Sequence, residues 1–376
     1  MPTLTGGGRT GFPPDVTLRL LARGILDLFA PGRPQPSVRQ DREMPDSLRR
    51  ASVLISRHCL EESIEDKGAS IHDVLELATH PAAEWGLAAF AAPFDMSDVV
   101  LIDPDLGLPT EDCVEAGRDG TETNIMERLQ HEQLRDAVRG TGKRSRKAYS
   151  EIRGFVVRNP VLSIWDLKKF EAKWATASRA IRGFYTTVPM GAVHSDGRIR
   201  TCKNCGALLW PDSDTSSYPN GRCRVRSCAE EMPTPALATT IDNPSEYVAA
   251  ERSVLAYWIG PGLDEIRLFD RLSAGGIDVV LYPEEDSADV GTEDLMIGID
   301  VKTYTSPIIL ARRLSAGIGN LSIFKAKYIA VPDAKLKSDP DYLTLLRTRY
   351  TGAERLVFDT VSNVVKDVAA ADGQAR

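Results

Sequence analysis

The sequence predicts a chain of mixed class: a mainly α N-terminal region, a four-cysteine zinc-ribbon-like segment near the middle, and an α/β domain in the last third. Three observations carry this. Residues 47–182 hold long stretches with apolar residues at helical spacing. Cys202, Cys205, Cys223 and Cys228 fall close together in a run of short strands and turns. Residues 241–335 follow a helix, strand, strand, helix, strand order, and two of the strand-like runs carry acids among apolar residues.

With 376 residues, two or three domains can each bury a core. The 42% hydrophobic and 26% charged fractions argue for a globular protein rather than a disordered or fibrous one. No run approaches a membrane-spanning length. The opening Met1-Pro2-Thr3-Leu4-Thr5-Gly6 lacks the charged-then-apolar order of a secretion signal, so the expected compartment is the cytoplasm. In a reducing compartment a cysteine cluster is a metal site more readily than a disulfide framework. Cys59 and Cys113 stand apart from it.

The net charge of −7 hides an asymmetry. Residues 141–227 carry 17 Lys and Arg against 6 Asp and Glu. A protein that meets nucleic acid through one face has this pattern, and so does one whose own segments attract each other.

Residues 1–46 are rich in Gly, Pro and Arg and predict a flexible arm with one short helix, Val16 to Phe29. In residues 47–182, helices are expected from Ser47 to Ile64, from Ser70 (its N-cap) onward, from Thr123 to Arg139, from Ala148 to Val157, and from Ser163 to Arg182. The last would carry Trp165, Leu167, Phe170 and Trp174 on a core-facing side. Val99 to Ile102 suits either a buried strand or a helix end. Residues 183–233 form the ribbon segment, and 241–376 the C-terminal domain, whose tail from Asp341 is expected to be helical. The five histidines have no metal spacing, and Gly6-Gly7-Gly8 precedes no phosphate-binding motif.

The cysteine spacing is C-x2-C, a gap of 17 residues, then C-x4-C. Four thiolates on two knuckles suit tetrahedral zinc, and four leave no open position, so the metal would be structural. The segment has few apolar residues, and a metal would supply folding energy it otherwise lacks. Arg222, Arg224 and Arg226 on the second knuckle could contact phosphates. So could Lys143, Arg144, Arg146 and Lys147, for which a solvated loop is the equal alternative.

Gly276 to Tyr282 predicts one strand and Leu295 to Tyr304 another, with an acidic loop, Glu284 to Asp294, between them. Asp300 and Lys302 are two apart and share a strand face. Asp278 and Asp300 could hold Mg²⁺ through oxygen, and Lys302 could stabilise charge on a phosphate. The bland alternative is a solvated strand edge, but both acids sit in apolar runs where burial without a cation is costly.

Asp278 followed by Asp300-Val301-Lys302 resembles the PD-(D/E)XK superfamily of restriction-type endonucleases. The resemblance implies a restriction-endonuclease-like α/β core, a mixed sheet flanked by helices, with Mg²⁺-dependent cleavage of DNA phosphodiesters. It also implies an acid on the helix before the first strand, and Glu251, on a helix expected over Pro244 to Trp258, takes that place. A helix near Ile308 to Ala316 and a strand Ala326 to Val331 continue the match. The order of a basic helical region, a ribbon and this core is similar to the nuclease that accompanies the pPIWI-RE group of prokaryotic Argonaute-related defence modules. That likeness implies a helicase and an Argonaute-like protein as partners, and cutting of both strands implies a homodimer. The alternative function is an inactive nuclease fold serving as a DNA-binding or adaptor subunit.

Overall fold

The computed structural model describes residues 14–29, 44–91, 96–117 and 125–375. The expectations for Gly6-Gly7-Gly8 and for most of the arm lie outside them. The chain divides into two compact units, residues 1–123 and 124–376.

In the first unit the amphipathic stretch is the helix Pro14–Leu28, with Pro14 at its first position and Asp15 in its first turn. Leu18, Leu21, Ala22 and Ile25 are fully buried. They pack on the helices Asp46–Glu62 and Glu111–Ala116. Gly24 lies against the Leu48 backbone, where a side chain would collide. The helix expected in a flexible arm is therefore a wall of this unit, because its apolar face finds a partner. Ser70 caps Ile71–Leu77 by accepting from the Asp73 N–H at 3.1 Å. Val99 to Ile102 is buried but makes neither a strand nor a helix; the N–H groups of Leu101 and Ile102 both donate to the Ala78 carbonyl.

Among the described residues, the second unit holds twelve short strands. They are β1 (Val161–Ser163), β2 (Tyr185–Thr187), β3 (Ile199–Cys202), β4 (Leu208–Trp210), β5 (Arg222–Cys223) and β6 (Leu237–Ile241), then β7 (Tyr247–Ala250), β8 (Val280–Leu281), β9 (Val290–Gly291), β10 (Ile297–Val301), β11 (Ala326–Val331) and β12 (Val357–Thr360). They form an antiparallel sheet β1-β7-β2, an antiparallel ribbon sheet β5-β4-β3-β6, and a mixed five-stranded sheet β12-β11-β10-β9-β8. In the mixed sheet β10, β11 and β12 run parallel, while β9 is antiparallel to both β8 and β10.

Several expectations change here. Pro244 to Trp258 is not one helix. Tyr247–Ala250 is the central strand β7, whose backbone groups are taken up by β1 and β2 on either side. Helix begins at Arg252, widens into a π turn at Leu255–Ile259, and runs on as Gly260–Ala274. The wide turn precedes Pro261, whose ring and missing N–H disfavour a regular turn. The helix from Ser163 breaks at Trp174, which leaves Trp174 buried, Phe170 stacked on Phe155, and Trp165 exposed. The ribbon sheet extends to Ile241, and the tail contains β12 between the helices Tyr342–Arg349 and Val361–Ala375.

Helices flank the mixed sheet on both faces. Ile299, Val301 and Ala330 pack toward Gly260–Ala274, Val361–Ala375 and the helices of residues 134–185 in one continuous core. Ile329, Val331 and Phe324 pack toward Pro307–Ala316 and Tyr342–Arg349. Gly298 of β10 faces the Phe324 ring so closely that a Cβ would run into it. Gly298→Ala is expected to cost about 1–3 kcal/mol through overpacking. Urea unfolding checks this, and an unchanged midpoint would contradict the close packing.

Candidate functional site

Two chemically distinct groups stand out in the second unit. The first is the cysteine cluster. Cys202 ends β3, and Cys205 follows in a turn closed by the Gly206 N–H donating to the Cys202 carbonyl at 2.8 Å. Gly206 has φ +75°, which a residue without Cβ adopts freely. Cys223 ends β5, and Cys228 lies on the short helix Arg226–Glu231. The helical rise explains the longer second knuckle. All four thiols are buried, with sulfur atoms within 4.8 Å of one another. Cys202 to Cys228 is 3.6 Å and Cys205 to Cys223 is 3.5 Å. These are far beyond the roughly 2 Å of a disulfide. They approach the roughly 3.8 Å edge of a sulfur tetrahedron around a metal with bonds of about 2.3 Å. The four cysteines could bind a metal.

This cluster is tied to the helix Gly260–Ala274. Asn204 donates from Nδ2 to Cys228 Sγ at 3.3 Å and accepts at Oδ1 from Arg267 at 2.6 Å. Ser227 donates to the Gly260 carbonyl at 2.8 Å.

The second group gathers at the carboxyl end of β10. Gly298 pairs with Gly291 and Ile299 with Val290. One step further along the same register, Asp300 stands opposite Asp289. The Val301 N–H donates to Asp289 Oδ2 at 2.7 Å. Lys302 Nζ lies 2.9 Å from Asp300 Oδ2, as two residues on one strand face should allow. Glu265 comes in from the helix Gly260–Ala274 and is 2% exposed. Arg153, from the helix Ser145–Arg158, is buried among these acids. It is 3.4 Å from Glu265 and 4.0 Å from Asp289, donates to Asp286, and stacks 3.9 Å over the Tyr282 ring.

Electrostatics follow the placement. Burial, and then the charges of Glu265 and Asp300, push the Asp289 carboxyl well above the usual carboxylate range. Burial also raises Glu265, against the pull of Arg153. Burial would raise Asp286, but Arg153, with His131 and Arg135, outweighs it and holds the carboxyl low. Burial works against the Lys302 ammonium, yet Asp300 and Asp289 outweigh it and keep it charged.

The segment before Asp289 has an unusual backbone. Tyr282, Glu284, Glu285 and Asp286 have φ of 51°, 51°, 56° and 84° with no glycine among them. Left-handed residues cost about 1–2 kcal/mol each, so the turn must be held. Arg135 donates to the Glu285 carbonyl at 3.0 Å, Arg146 lies 2.5 Å from Glu284, and His131 lies 3.3 Å from Asp286.

Of the expected site residues, the structure brings together Asp300 and Lys302. Asp278 is elsewhere: it is exposed in the loop before β8. It precedes β8 by two residues, and β9 lies between β8 and the strand that carries Asp300. Glu251 sits at the N-cap of the helix Arg252–Val254, beside β2, where its N–H donates to the Phe184 carbonyl at 3.0 Å. Sequence reasoning missed Asp289 and Glu265. The available signals were an acid eleven residues before Asp300, next to Val290-Gly291, and a glutamate on the apolar side of the 260–274 helix.

Among the basic residues, Arg146 is engaged with Glu284, and Arg226 with Glu230 at 3.0 Å and Thr305 at 2.8 Å. Lys143, Arg144 and Lys147 are exposed, with Arg144 5.0 Å over the Trp174 ring. Arg224 stacks 3.8 Å over Trp210, and Arg222 lies 5.8 Å over Tyr218.

The second unit is thus a mixed α/β architecture with an acid–lysine group and a separate four-thiol cluster that could bind a metal. Residues 17–163 match the family model described as pPIWI_RE three-gene island domain Y, and residues 262–376 match REase associating with pPIWI_RE. These matches support a REase-like protein of the pPIWI-RE island. No curated protein and no solved structure shows a significant match to it. The acids and Lys302 fall in the second matched segment, Arg153 in the first, and the four cysteines between them. Among the described residues, no helix is long and apolar enough to cross a membrane.

Asp289 provides a test of the burial. Its raised pKa means the native state binds more protons than the unfolded state from the ordinary carboxylate range upward, so stability falls as pH rises through that window. In metal-free buffer, Asp289→Asn should melt higher than wild type at pH 8, and the gap should shrink toward pH 4. A gap that is absent or grows on acidification contradicts the placement.

Proposed function

We propose that the protein is a Mg²⁺-dependent DNA endonuclease acting in prokaryotic defence. The observation that carries this reading is the register of β9 against β10, which opposes Asp289 and Asp300 beside Lys302. Opposed carboxylates with a lysine on the same strand face are hard-ion donors next to a fixed positive charge. A divalent cation held by Asp289 and Asp300 would supply a water of lowered pKa and offset charge on the scissile phosphate. Lys302 donates to the phosphoryl oxygen as negative charge builds there. Glu265 supports the site from the helix side. Asp289 and Glu265 thus take the places first assigned to Asp278 and Glu251. The C-terminal sheet with its flanking helices serves as a PD-(D/E)XK-type core.

In the same reading Cys202, Cys205, Cys223 and Cys228 hold a structural zinc, and the exposed Lys143, Arg144 and Lys147, with the half-buried Arg222 and Arg224, approach backbone phosphates. The match to pPIWI-RE island families supports association with other proteins of that system, a helicase and an Argonaute-like protein among them. Homodimerisation would supply a second site for the opposite strand.

With purified chain, plasmid DNA and Mg²⁺, Lys302→Ala and Asp289→Asn should each slow cleavage by at least about 100-fold, while Asp278→Ala cleaves like wild type. Equal cleavage by wild type and Lys302→Ala removes the catalytic assignment. DNA binding without cleavage under any divalent ion supports the adaptor alternative. For the ribbon, elemental analysis should find one zinc per wild-type chain and none in Cys228→Ser, with a lower melting temperature for the variant.

A further inference from the structure

Arg153 lies outside the segment matched to the REase family, yet it is the buried cation of the acid group. Its guanidinium is planar and offers donors in a fixed fork. One nitrogen donates to Asp286. The other faces Glu265 at 3.4 Å and Asp289 at 4.0 Å. Its flat face rests 3.9 Å above the Tyr282 ring. These contacts fix both ends of the left-handed turn Tyr282 to Asp286, and that turn delivers the chain to Asp289. The Tyr282 N–H donates to the Asp289 carbonyl at 2.8 Å, which closes the turn on the acid itself.

We propose that Arg153 is a positioning residue for the proposed metal site, holding Asp286, Glu265 and Asp289 in the arrangement that receives a divalent cation. This rests on the reading of the site given above and adds to it a residue from the helical segment. The guanidinium acts in two opposed ways. Its charge repels an incoming cation. Its fork bridges the buried carboxylates of Glu265 and Asp289 and the half-buried Asp286 and keeps the turn in place, and without it their mutual repulsion and the backbone's preference for ordinary φ would move Asp289. Partners that orient metal ligands in this way change affinity by about 10–100-fold when removed. On this proposal the positioning effect is the larger of the two.

The test follows Mn²⁺ binding to the full-length, zinc-loaded chain by electron paramagnetic resonance, with Asp300→Asn identifying the site. Arg153→Ala should bind Mn²⁺ about 10–100-fold more weakly than wild type. Arg153→Lys, which keeps the charge and loses the fork, should recover only part of the loss. Asp286→Asn removes the partner while leaving Arg153, and serves if Arg153→Ala does not fold; it too should bind more weakly. Unchanged or tighter binding by Arg153→Ala, or by Asp286→Asn in its place, overturns the inference while wild-type binding leaves the metal site standing. A wild type that binds no Mn²⁺ at Asp300 removes the metal site and this inference together.

Discussion

Burial of like charge is the constraint on which the second unit depends. Glu265, Asp286, Asp289 and Asp300 converge at one end of the mixed sheet, where water is largely excluded. Carboxylates in such a place either take up protons or find cations. Lys302 and Arg153 provide the cations, from segments far apart in the sequence. The arrangement requires the helix Ser145–Arg158 to be packed against the sheet, and Tyr149, Ile152, Val156 and Val157 share a core with Ile299 and Val301. Apolar packing brings the arginine in, and the arginine makes the acids tolerable. Breaking such a pair on one side leaves an uncompensated buried charge, which costs more than the pair contributes.

The same reasoning recasts the basic stretch. Its excess of positive charge is consistent with a nucleic-acid face or with attraction between segments. At several positions the second account describes what the side chains do: Arg146 meets Glu284, Arg153 meets Asp286, Arg158 meets Asp270 at 2.6 Å and Arg182 meets Glu171 at 2.7 Å. The exposed pairs among these contribute little stability each, so their use lies in fixing which surfaces meet. Lys143, Arg144, Lys168, Lys169, Arg179 and Lys203 still face solvent, so the stretch keeps an exposed basic surface beside these pairs.

What was legible in the sequence follows from how local each signal is. Helices with a long apolar stripe, such as Pro14–Leu28 and Ser145–Arg158, are written in spacing alone. So are Asp300 and Lys302, because period two is enough to put them on one face. The cysteine set is legible because chelation demands four like donors close together. Asp289 was hidden because β9 is two residues long and follows a turn rich in acids, so nothing local separates a buried carboxylate from a solvated one. Glu265 was hidden behind a misplaced helix: Tyr247 to Ala250 suits either state, and only pairing with β1 and β2 decides it. The left-handed turn could not be read at all, since Tyr, Glu and Asp adopt that backbone only when distant partners hold it.

The ribbon and the acid site meet on one helix. Gly260–Ala274 carries Glu265 toward Arg153, and two residues on it carries Arg267 to Asn204, whose amide donates to Cys228. Arg267 also pairs with Glu231 at 2.7 Å, and Lys335, in the loop-proximal helix after β11, pairs with Glu230 at 2.9 Å. The helix is therefore gripped along one side by the short cysteine-bearing helix and along another by the mixed sheet. The segment matched to the REase family begins at residue 262, inside this helix. Cut there, it would keep Glu265 and Arg267 and lose both of their partners, Arg153 and Asn204. The segment matched to the REase family is thus not self-contained in this chain: its buried charge is balanced by the segment that precedes the ribbon, and its helix is anchored by the ribbon itself.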